Sequence, residues 1–188
     1  MSTSGRFWLV RAASARSDCW VRVRDTEGDP AGDEMMSSLL DGAAPDQPVS
    51  LVVWNRGRRR GDLLWSGGSF SAISDRAVQV LEAIGATGWR SVPAHVRFGN
   101  GEELPGYQVL VVTGTCGDFF AEADRRRTDR GVDPSHEWDG SDVFWIGARP
   151  QFTFCVTDRV REAFEAAGLD RIEYEDPADV VTWTSAGE

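Results

Sequence analysis

The sequence predicts a single α+β domain, with a largely antiparallel or mixed sheet and two similar amphipathic helices at about residues 74–85 and 157–168. Three observations lead to this prediction. A chain of 188 residues with 41% apolar residues can bury one substantial core. Short alternating segments separated by turn formers outnumber helical patterns, which is typical of antiparallel strands. A helical pattern of apolar residues occurs twice, and the second copy resembles the first.

Residues 1–70 are expected to form N-terminal strands and a loop. The segments "RFWLVRA" and "CWVRVRD" alternate apolar and polar residues, so they should be strands that pair as a hairpin. Residues 26–48 are rich in turn formers, and a short helix is expected there only near residues 34–40. Extended segments resume with "VSLVVWN" and "DLLWSG", on either side of "RGRRRG". Because glycines interrupt this arginine run, it should be an exposed connection.

The first helical pattern begins at Ser74, a good N-cap residue, and should end at Gly85. Its apolar residues follow the spacing of a helix with one buried face: Ala77, Val80, Leu81 and Ile84. The same pattern returns 83 residues later between Thr157 and Gly168, with Val160, Ala163, Phe164 and Ala167 on the apolar face. Gln79 and Arg161 fall on the opposite face. Each helix is followed by a strand, and a unit of this kind needs a partner to cover its apolar face.

Residues 71–188 form an acidic portion that contains a long insertion at 116–142. Before the insertion, "AHVRF" and "YQVLVVTG" should form a hairpin across the turn-rich "GNGEELPG", and "DVFWIGA" should be a strand after it. The insertion itself is polar, charged and almost aperiodic. Long insertions between strands often carry function, so this one is the first place to look for a binding surface.

The charge distribution favours a basic partner. The net charge is −10, and all 20 basic residues are arginine. Residues 1–70 contain nine acids and nine arginines, so the whole deficit lies in residues 71–188. A field of this sign repels nucleic acid and anionic membranes. No apolar run reaches the roughly 18 to 20 residues of a membrane span, and the N-terminal apolar segment is too short for a secretory signal. A cytoplasmic location is therefore expected.

The candidates for catalysis are His95, His136 and Cys155. His95 lies in a predicted strand, which favours a structural role in or beside the core over catalysis. His136 lies in "DPSHEWDGSD", but the spacing matches neither a zinc motif nor a calcium loop, so no metal site is predicted. Cys155 lies in the apolar run "FTFCVTD" and should be a small buried hydrophobe. Together with Cys19 and Cys116 it should be a reduced thiol. The absence of lysine excludes Schiff-base and P-loop chemistry, and no cofactor is expected.

A resemblance to a known family rests on the order of several motifs: a Ser-Asp-Arg helix start, "VPAHVRF", "YQVLVVTG", an acidic middle, "DVFWIG" and "FCVTDRVREAFEAAGLDRIEYED". This order is similar to that of a bacterial immunity-protein family. The family was first described as a domain of unknown function, is abundant in myxobacteria and is attached to polymorphic toxin systems. The likeness covers about residues 70–176. It implies a small α+β protein that binds and neutralises a cognate toxin.

The expected function is therefore that of an immunity-like binding protein, whose partner is a cognate toxin or another basic peptide or protein. An acidic surface would steer such a partner, and an aromatic side chain in the insertion could anchor it. The partner-binding candidates lie in the insertion: Asp133, His136, Glu137, Trp138, Asp139 and Asp142. The alternative is a peptide-modifying or peptide-cleaving accessory enzyme of a natural-product cluster. Such an enzyme would hold a basic peptide in an acidic groove and use His95, His136 and nearby carboxylates for proton transfer.

Overall fold

The computed structural model describes residues 7–23, 30–66, 70–116, 138–145 and 154–179. Within these ranges the fold is α+β, with antiparallel and mixed sheets, as predicted. The strands and helices are β1 (Phe7–Ala12), β2 (Val21–Val23), α1 (Pro30–Leu40), β3 (Val49–Val53), β4 (Leu63–Trp65), β5 (Ser71–Ser74), α2 (Asp75–Ala83), β6 (Trp89–Phe98), β7 (Tyr107–Val112), β8 (Gly114–Thr115), β9 (Val143–Trp145), β10 (Phe154–Thr157), α3 (Asp158–Ala166) and β11 (Ile172–Glu175). A short 3-10 helix at Pro177–Asp179 follows β11.

Six strands form a mixed sheet in the order β2-β3-β6-β7-β5-β4. The pair β3 and β6 is parallel, and the other pairs are antiparallel. A bridge between Trp20, which directly precedes β2, and Trp65 in β4 connects the two edges of this sheet. The sheet therefore nearly closes into a barrel, which protects edges that would otherwise be open. Its interior is apolar and includes Met36 and Leu39 from α1.

The other five strands form a sheet in the order β11-β1-β10-β9-β8. β1 pairs antiparallel with both β10 and β11. The predicted hairpin of β1 with β2 is therefore wrong, because β2 pairs with β3 in the other sheet. The physical reason is that the apolar residues of β1 are buried, and a position between two strands satisfies the backbone groups on both of its edges.

Helix α2 begins after Ser74, whose Oγ accepts a hydrogen bond of 3.1 Å from the backbone N–H of Ala77. This is the N-cap expected from the sequence. The helix buries Ala77, Val78 and Leu81. Gly85 follows its C-terminus with φ +60°, a left-handed conformation that favours glycine.

Helix α3 begins after Thr157 and buries Val160 and Phe164. The hydroxyl of Thr157 does not cap the helix. The expectation that Ala167 lies on the buried face is also wrong, because α3 ends at Ala166 and Ala167 is the exposed C-cap residue. Ala163 is half-buried.

Helix α1 is longer than the segment 34–40 expected from the sequence. Helices α2 and α3 contact each other. An apolar cluster at this contact contains Leu81 of α2 and Phe164 of α3. It also draws residues from both sheets, including Leu110, Val143 and Val156. None of the described helices is long and apolar enough to cross a membrane.

Candidate functional site

A cleft of about 370 Å³ lies where β6 changes its pairing partner. Residues 89–93 of β6 pair with β7, and residues 94–98 pair with β3. The change of partner opens a gap beside the strand, bordered by the loop at residues 99–106 and by the first turn of α2. The volume lies within the range of pockets that hold small ligands or single side chains. The cleft combines this space with ionisable side chains in its lining.

His95 is exposed and lines this cleft, so the expectation that it lies in or beside the core is wrong. The alternation of β6 explains its position. Val92 and Val96 are buried inside the barrel, whereas Pro93 and His95 occupy the alternate positions that face outward. His95 therefore lies where a ligand can reach it.

Asp75 lines the cleft at the start of α2. Its Oδ1 accepts a hydrogen bond of 2.9 Å from the side-chain amide of Gln108. The carbonyl of the same Gln108 side chain accepts a bond of 2.6 Å from the hydroxyl of Ser91. The backbone N–H of Asp75 donates to the carbonyl of Gly106 at 2.9 Å. These contacts fix the Asp75 carboxylate beside the cleft before any ligand arrives.

Glu103 supplies the second carboxylate of the lining and pairs with Arg97 at 3.3 Å. Its position is set by the loop, because the backbone N–H of Leu104 donates to the carbonyl of Val96 at 2.8 Å. With His95 neutral, the side chains of the lining carry two negative charges and one positive charge. The lining of the cleft is thus net acidic.

Asp142, a predicted partner-binding residue, is held within the fold and its side chain is 13% exposed. Its Oδ1 accepts a hydrogen bond of 3.1 Å from the hydroxyl of Thr157. Its Oδ2 accepts bonds of 3.0 Å from the backbone N–H of Thr87 and from the guanidinium of Arg159. Asp142 therefore connects the start of α3 to the loop that follows α2.

Asp62 makes the same kind of contacts as Asp142, with the roles of the two helices exchanged. It accepts hydrogen bonds from the hydroxyl of Ser74 at 2.6 Å and from the guanidinium of Arg76 at 2.7 Å. It also accepts a bond of 2.8 Å from the backbone N–H of Asp170. Asp62 therefore connects the start of α2 to the loop that follows α3. The sequence analysis did not identify either carboxylate as structural, although "GDLLW" and "SDVFW" place both directly before a strand.

Trp138 and Asp139, two further predicted partner-binding residues, also make internal contacts. Trp138 packs edge-on against Phe7 with ring centroids 5.0 Å apart, and its indole N–H donates to the carbonyl of Ser141 at 2.9 Å. The carboxylate of Asp139 accepts bonds of 2.9 Å from the backbone N–H groups of Thr115 and Ser141. Partial burial acts to raise the pKa of Asp139, but these hydrogen bonds outweigh it and hold the pKa below its ordinary value.

Three other candidates from the insertion, Asp133, His136 and Glu137, lie outside the described residues. Cys155 is fully buried, as expected, and burial raises the pKa of its thiol. Cys19 and Cys116 are buried as well, and burial also raises the pKa of the Cys19 thiol. A buried thiol of raised pKa is a poor nucleophile, so Cys19 and Cys155 fit the structural role that the sequence predicts.

No protein-family model matches this chain, and no curated protein sequence matches it. The site is therefore interpreted from its own geometry. Within the described ranges, no group of three or more histidine, cysteine, aspartate or glutamate side chains is arranged to hold a metal ion. The carboxylates of the cleft can accept hydrogen bonds and bind a positively charged group.

Sequence reasoning missed the residues that join His95 in the cleft, namely Asp75, Glu103 and Gln108. In the sequence, Asp75 has an ordinary role as an acidic residue in the first turn of a helix, which gives no sign of a cleft. The loop residues were interpreted only as turn formers. The sequence signal that could have located the cleft was a pair of prolines, Pro93 in the predicted strand and Pro105 in the loop. Proline within a strand marks a place where pairing is interrupted.

Proposed function

We propose that this protein is an immunity-like binding protein, which neutralises a cognate toxin or another basic protein by direct contact. The observation that carries the proposal is the net charge of −10, which resides entirely in residues 71–188. The acidic cleft around Asp75 and Glu103 adds a concave binding site to this overall charge. Binding needs no chemistry beyond what the described residues offer, and long-range attraction would raise the rate at which a cationic partner associates.

We propose further that α2 and α3 belong to two copies of one structural unit. The reciprocal contacts of Asp62 and Asp142 support this, because each carboxylate binds the residue before one helix and the arginine two positions later. The strand pairing supports it as well: β7 lies between β5 and β6, and β1 lies between β10 and β11. In this arrangement β1, from the start of the chain, takes the place in the second copy that β7 takes in the first.

A close backbone contact repeats in both units. Gly88 has φ +80°, and a Cβ there would lie 2.4 Å from the Cβ of Ser141. Arg171, at the matching place after α3, has φ +61°, and a Cβ on Gly61 would lie 2.4 Å from its Cβ. In each contact one residue must be glycine, because two side chains do not fit. These two close contacts support the proposal of two copies of one unit.

The first test is gene context, because a neighbouring gene for a secreted protein with a toxin domain would supply the partner. Binding to that toxin is then measured by surface plasmon resonance at two ionic strengths. Replacing Asp133, Glu137 and Asp139 together with their amides should slow association, and the loss should shrink at high salt. Asp142 is left intact because it joins the start of α3 to the loop after α2. Thermal unfolding of the variant is measured alongside its binding, because Asp139 also accepts hydrogen bonds within the fold. A variant in which Glu82, Glu162 and Glu165 become glutamine is the matched control, with the same change in net charge on the exposed surfaces of α2 and α3.

Trp138→Ala should instead speed dissociation, because an aromatic anchor acts after contact is made. Since Trp138 also packs against Phe7, the thermal stability of this variant must be measured alongside its binding. Equal association rates for the triple-amide variant and its control would remove the insertion from the interface. Absence of any binding to the adjacent toxin would overturn the proposed function.

A second candidate is the peptide-modifying or peptide-cleaving enzyme, and one observation favours it: His95 is exposed in a cleft with two carboxylates. Such a site could hold a basic peptide and move a proton. Ser50 of β3 is the register partner of His95, but within the described part of the chain no hydrogen bond joins its hydroxyl to the imidazole, so no activated nucleophile is formed. A neighbouring gene for a short precursor peptide, together with turnover that His95→Ala abolishes in the absence of any partner protein, would favour the enzyme over the binding protein.

A further inference from the structure

The lining of the cleft between β6, the 99–106 loop and the start of α2 is rich in hydrogen-bond acceptors. Pro48, Pro93 and Pro105 form part of the walls, and proline has no backbone N–H to donate. The side-chain amide of Gln108 donates to Asp75. The hydroxyl of Tyr107 donates to the carbonyl of Gly61 at 2.8 Å, whereas the Nε–H of Arg97 is buried and makes no hydrogen bond among the described residues.

The acceptors, in contrast, are not used up. Asp75 binds Gln108 through Oδ1, and among the described residues its Oδ2 accepts no hydrogen bond. Glu103 binds Arg97 through Oε1, and within the same part of the chain its Oε2 is likewise free. A carboxylate can accept about four hydrogen bonds, so each group keeps most of its capacity. A ligand that only donates would complement such a surface.

The shape and charge of the cleft select among donors. Its walls include the rings of Pro48, Pro93 and Pro105, which suit a hydrocarbon stem. Its two carboxylates outnumber its one guanidinium, that of Arg97, which is already paired with Glu103. A guanidinium has five donors, no acceptor and a planar shape that matches carboxylates.

We propose that this cleft binds a single arginine side chain, which enters with its stem along the prolines and its guanidinium against Asp75 and Glu103. The inference rests on the proposed function, because the arginine belongs to the cationic partner. It goes further in naming the side chain that is recognised and the residues that recognise it. His95, at the rim, is positioned to report on the bound ligand by a change in its ring signals.

The test is a titration of the full-length protein with N-acetylarginine amide, followed by two-dimensional NMR of the backbone amides and the His95 ring. The isosteric but neutral N-acetylcitrulline amide and the anionic N-acetylglutamate amide are the comparison probes. We expect shifts confined to His95, Gly106 and Gln108, with a dissociation constant on the order of 1 mM for so small a ligand. Citrulline should bind at least about tenfold more weakly, because it lacks the charge that strengthens these hydrogen bonds.

Asp75→Asn and Glu103→Gln should each weaken arginine binding about tenfold while keeping the size of the side chain. Asp75→Asn retains an oxygen that can accept from Gln108, so the fold should survive. Glu82→Gln, an exposed residue of α2 outside the cleft lining, carries the same change in charge and should leave binding unchanged. An effect of Glu82→Gln as large as that of Asp75→Asn would show that the overall negative charge of the protein, rather than the cleft, attracts the arginine probe. That result would overturn the inference.

Three other results would also overturn it: no shifts in the cleft up to a tenfold excess over the expected constant, equal binding of arginine and citrulline, or tighter binding of the glutamate probe. The last result would indicate an anion site at Arg97 and His95. No toxin is present in this titration. Its failure therefore removes the arginine site and leaves the proposed function standing, whereas failure to bind the toxin removes the function and leaves the arginine site.

Discussion

Replacement of Asp62 by alanine should destabilise the protein strongly, although the residue lies in no predicted site. Asp62 is 8% exposed and accepts four hydrogen bonds from three residues. One of its partners, Asp170, lies 108 positions away in the sequence. The carboxylate therefore joins two parts of the fold that have no local reason to meet.

The magnitude follows from what each partner loses. The hydroxyl of Ser74, which is 9% exposed, would be left without its acceptor, and the N–H of Asp170 would lose its partner too. An unsatisfied buried donor costs about 1–3 kcal/mol, and the N–H of Asp170 contributes less because its residue is exposed and water can replace the lost acceptor. Arg76 is 54% exposed and can turn to water, so its ion pair contributes less than about 1 kcal/mol. We expect Asp62→Ala to lower the free energy of unfolding by about 2–5 kcal/mol.

The assay is equilibrium unfolding in urea, with the free energy extrapolated to water. Asp62→Asn keeps the shape and one acceptor oxygen, so it should cost less than the alanine variant. Arg76→Gln removes only the exposed partner and should cost about 1 kcal/mol or less. If Asp62→Ala costs no more than Arg76→Gln, the hydrogen bonds to Ser74 and Asp170 do not hold the two parts together, and the reasoning fails.

Three further predictions concern the helices and the insertion. Leu81→Ala removes a buried side chain of α2 and should lower the free energy of unfolding in urea by about 2–5 kcal/mol. Gln79→Ala on the exposed face should change that free energy by no more than about 0.5 kcal/mol. Equal losses would mean that the buried face is wrongly assigned. Arg161→Ala should cost about 0.5–1 kcal/mol rather than nothing, because the guanidinium lies 3.8 Å from the centre of the Trp8 ring, and a silent variant would show that this stacking contributes no stability. For Asp139 the pKa is lowered in the fold, so its carboxylate stabilises the protein above the ordinary pKa of about 3.9, and the stabilisation is lost as pH falls through the folded value. The midpoint temperature of thermal unfolding should therefore be lower for Asp139→Asn than for the unmodified protein at pH 7, and the two midpoints should become equal in strong acid. A difference in midpoint that does not change with pH would contradict this role of Asp139.

The acidic residues of the insertion illustrate how far sequence reasoning extends to the site. Their charge is a property of composition, and its concentration after residue 70 could be counted directly. Their hydrogen bonds could not be counted in this way. Asp142 lies in the same acidic stretch as Asp139, yet its partners are Thr87, Thr157 and Arg159, which only the fold brings together.

Local patterns determined the two helices and most of the strands. Ser74 and Gly85 bracket α2 because N-cap hydrogen bonds and left-handed glycines act within a few residues of each other. Burial of Leu81 and Phe164 follows from helical spacing, which is also local. These features depend on near neighbours in the chain, so the sequence alone contains them.

The tertiary structure alone decided the pairing of β1 and the surroundings of His95. β1 meets β10 and β11, some 150 residues away in the chain, rather than the nearby β2. His95 faces a cleft because β6 leaves β7 for β3 between Pro93 and Ala94. Strand pairing is a choice among many partners of similar local propensity, and it is settled by which arrangement buries the apolar faces of all strands at once. No single segment carries that information, and so the position of the cleft emerges only when the whole sheet is assembled.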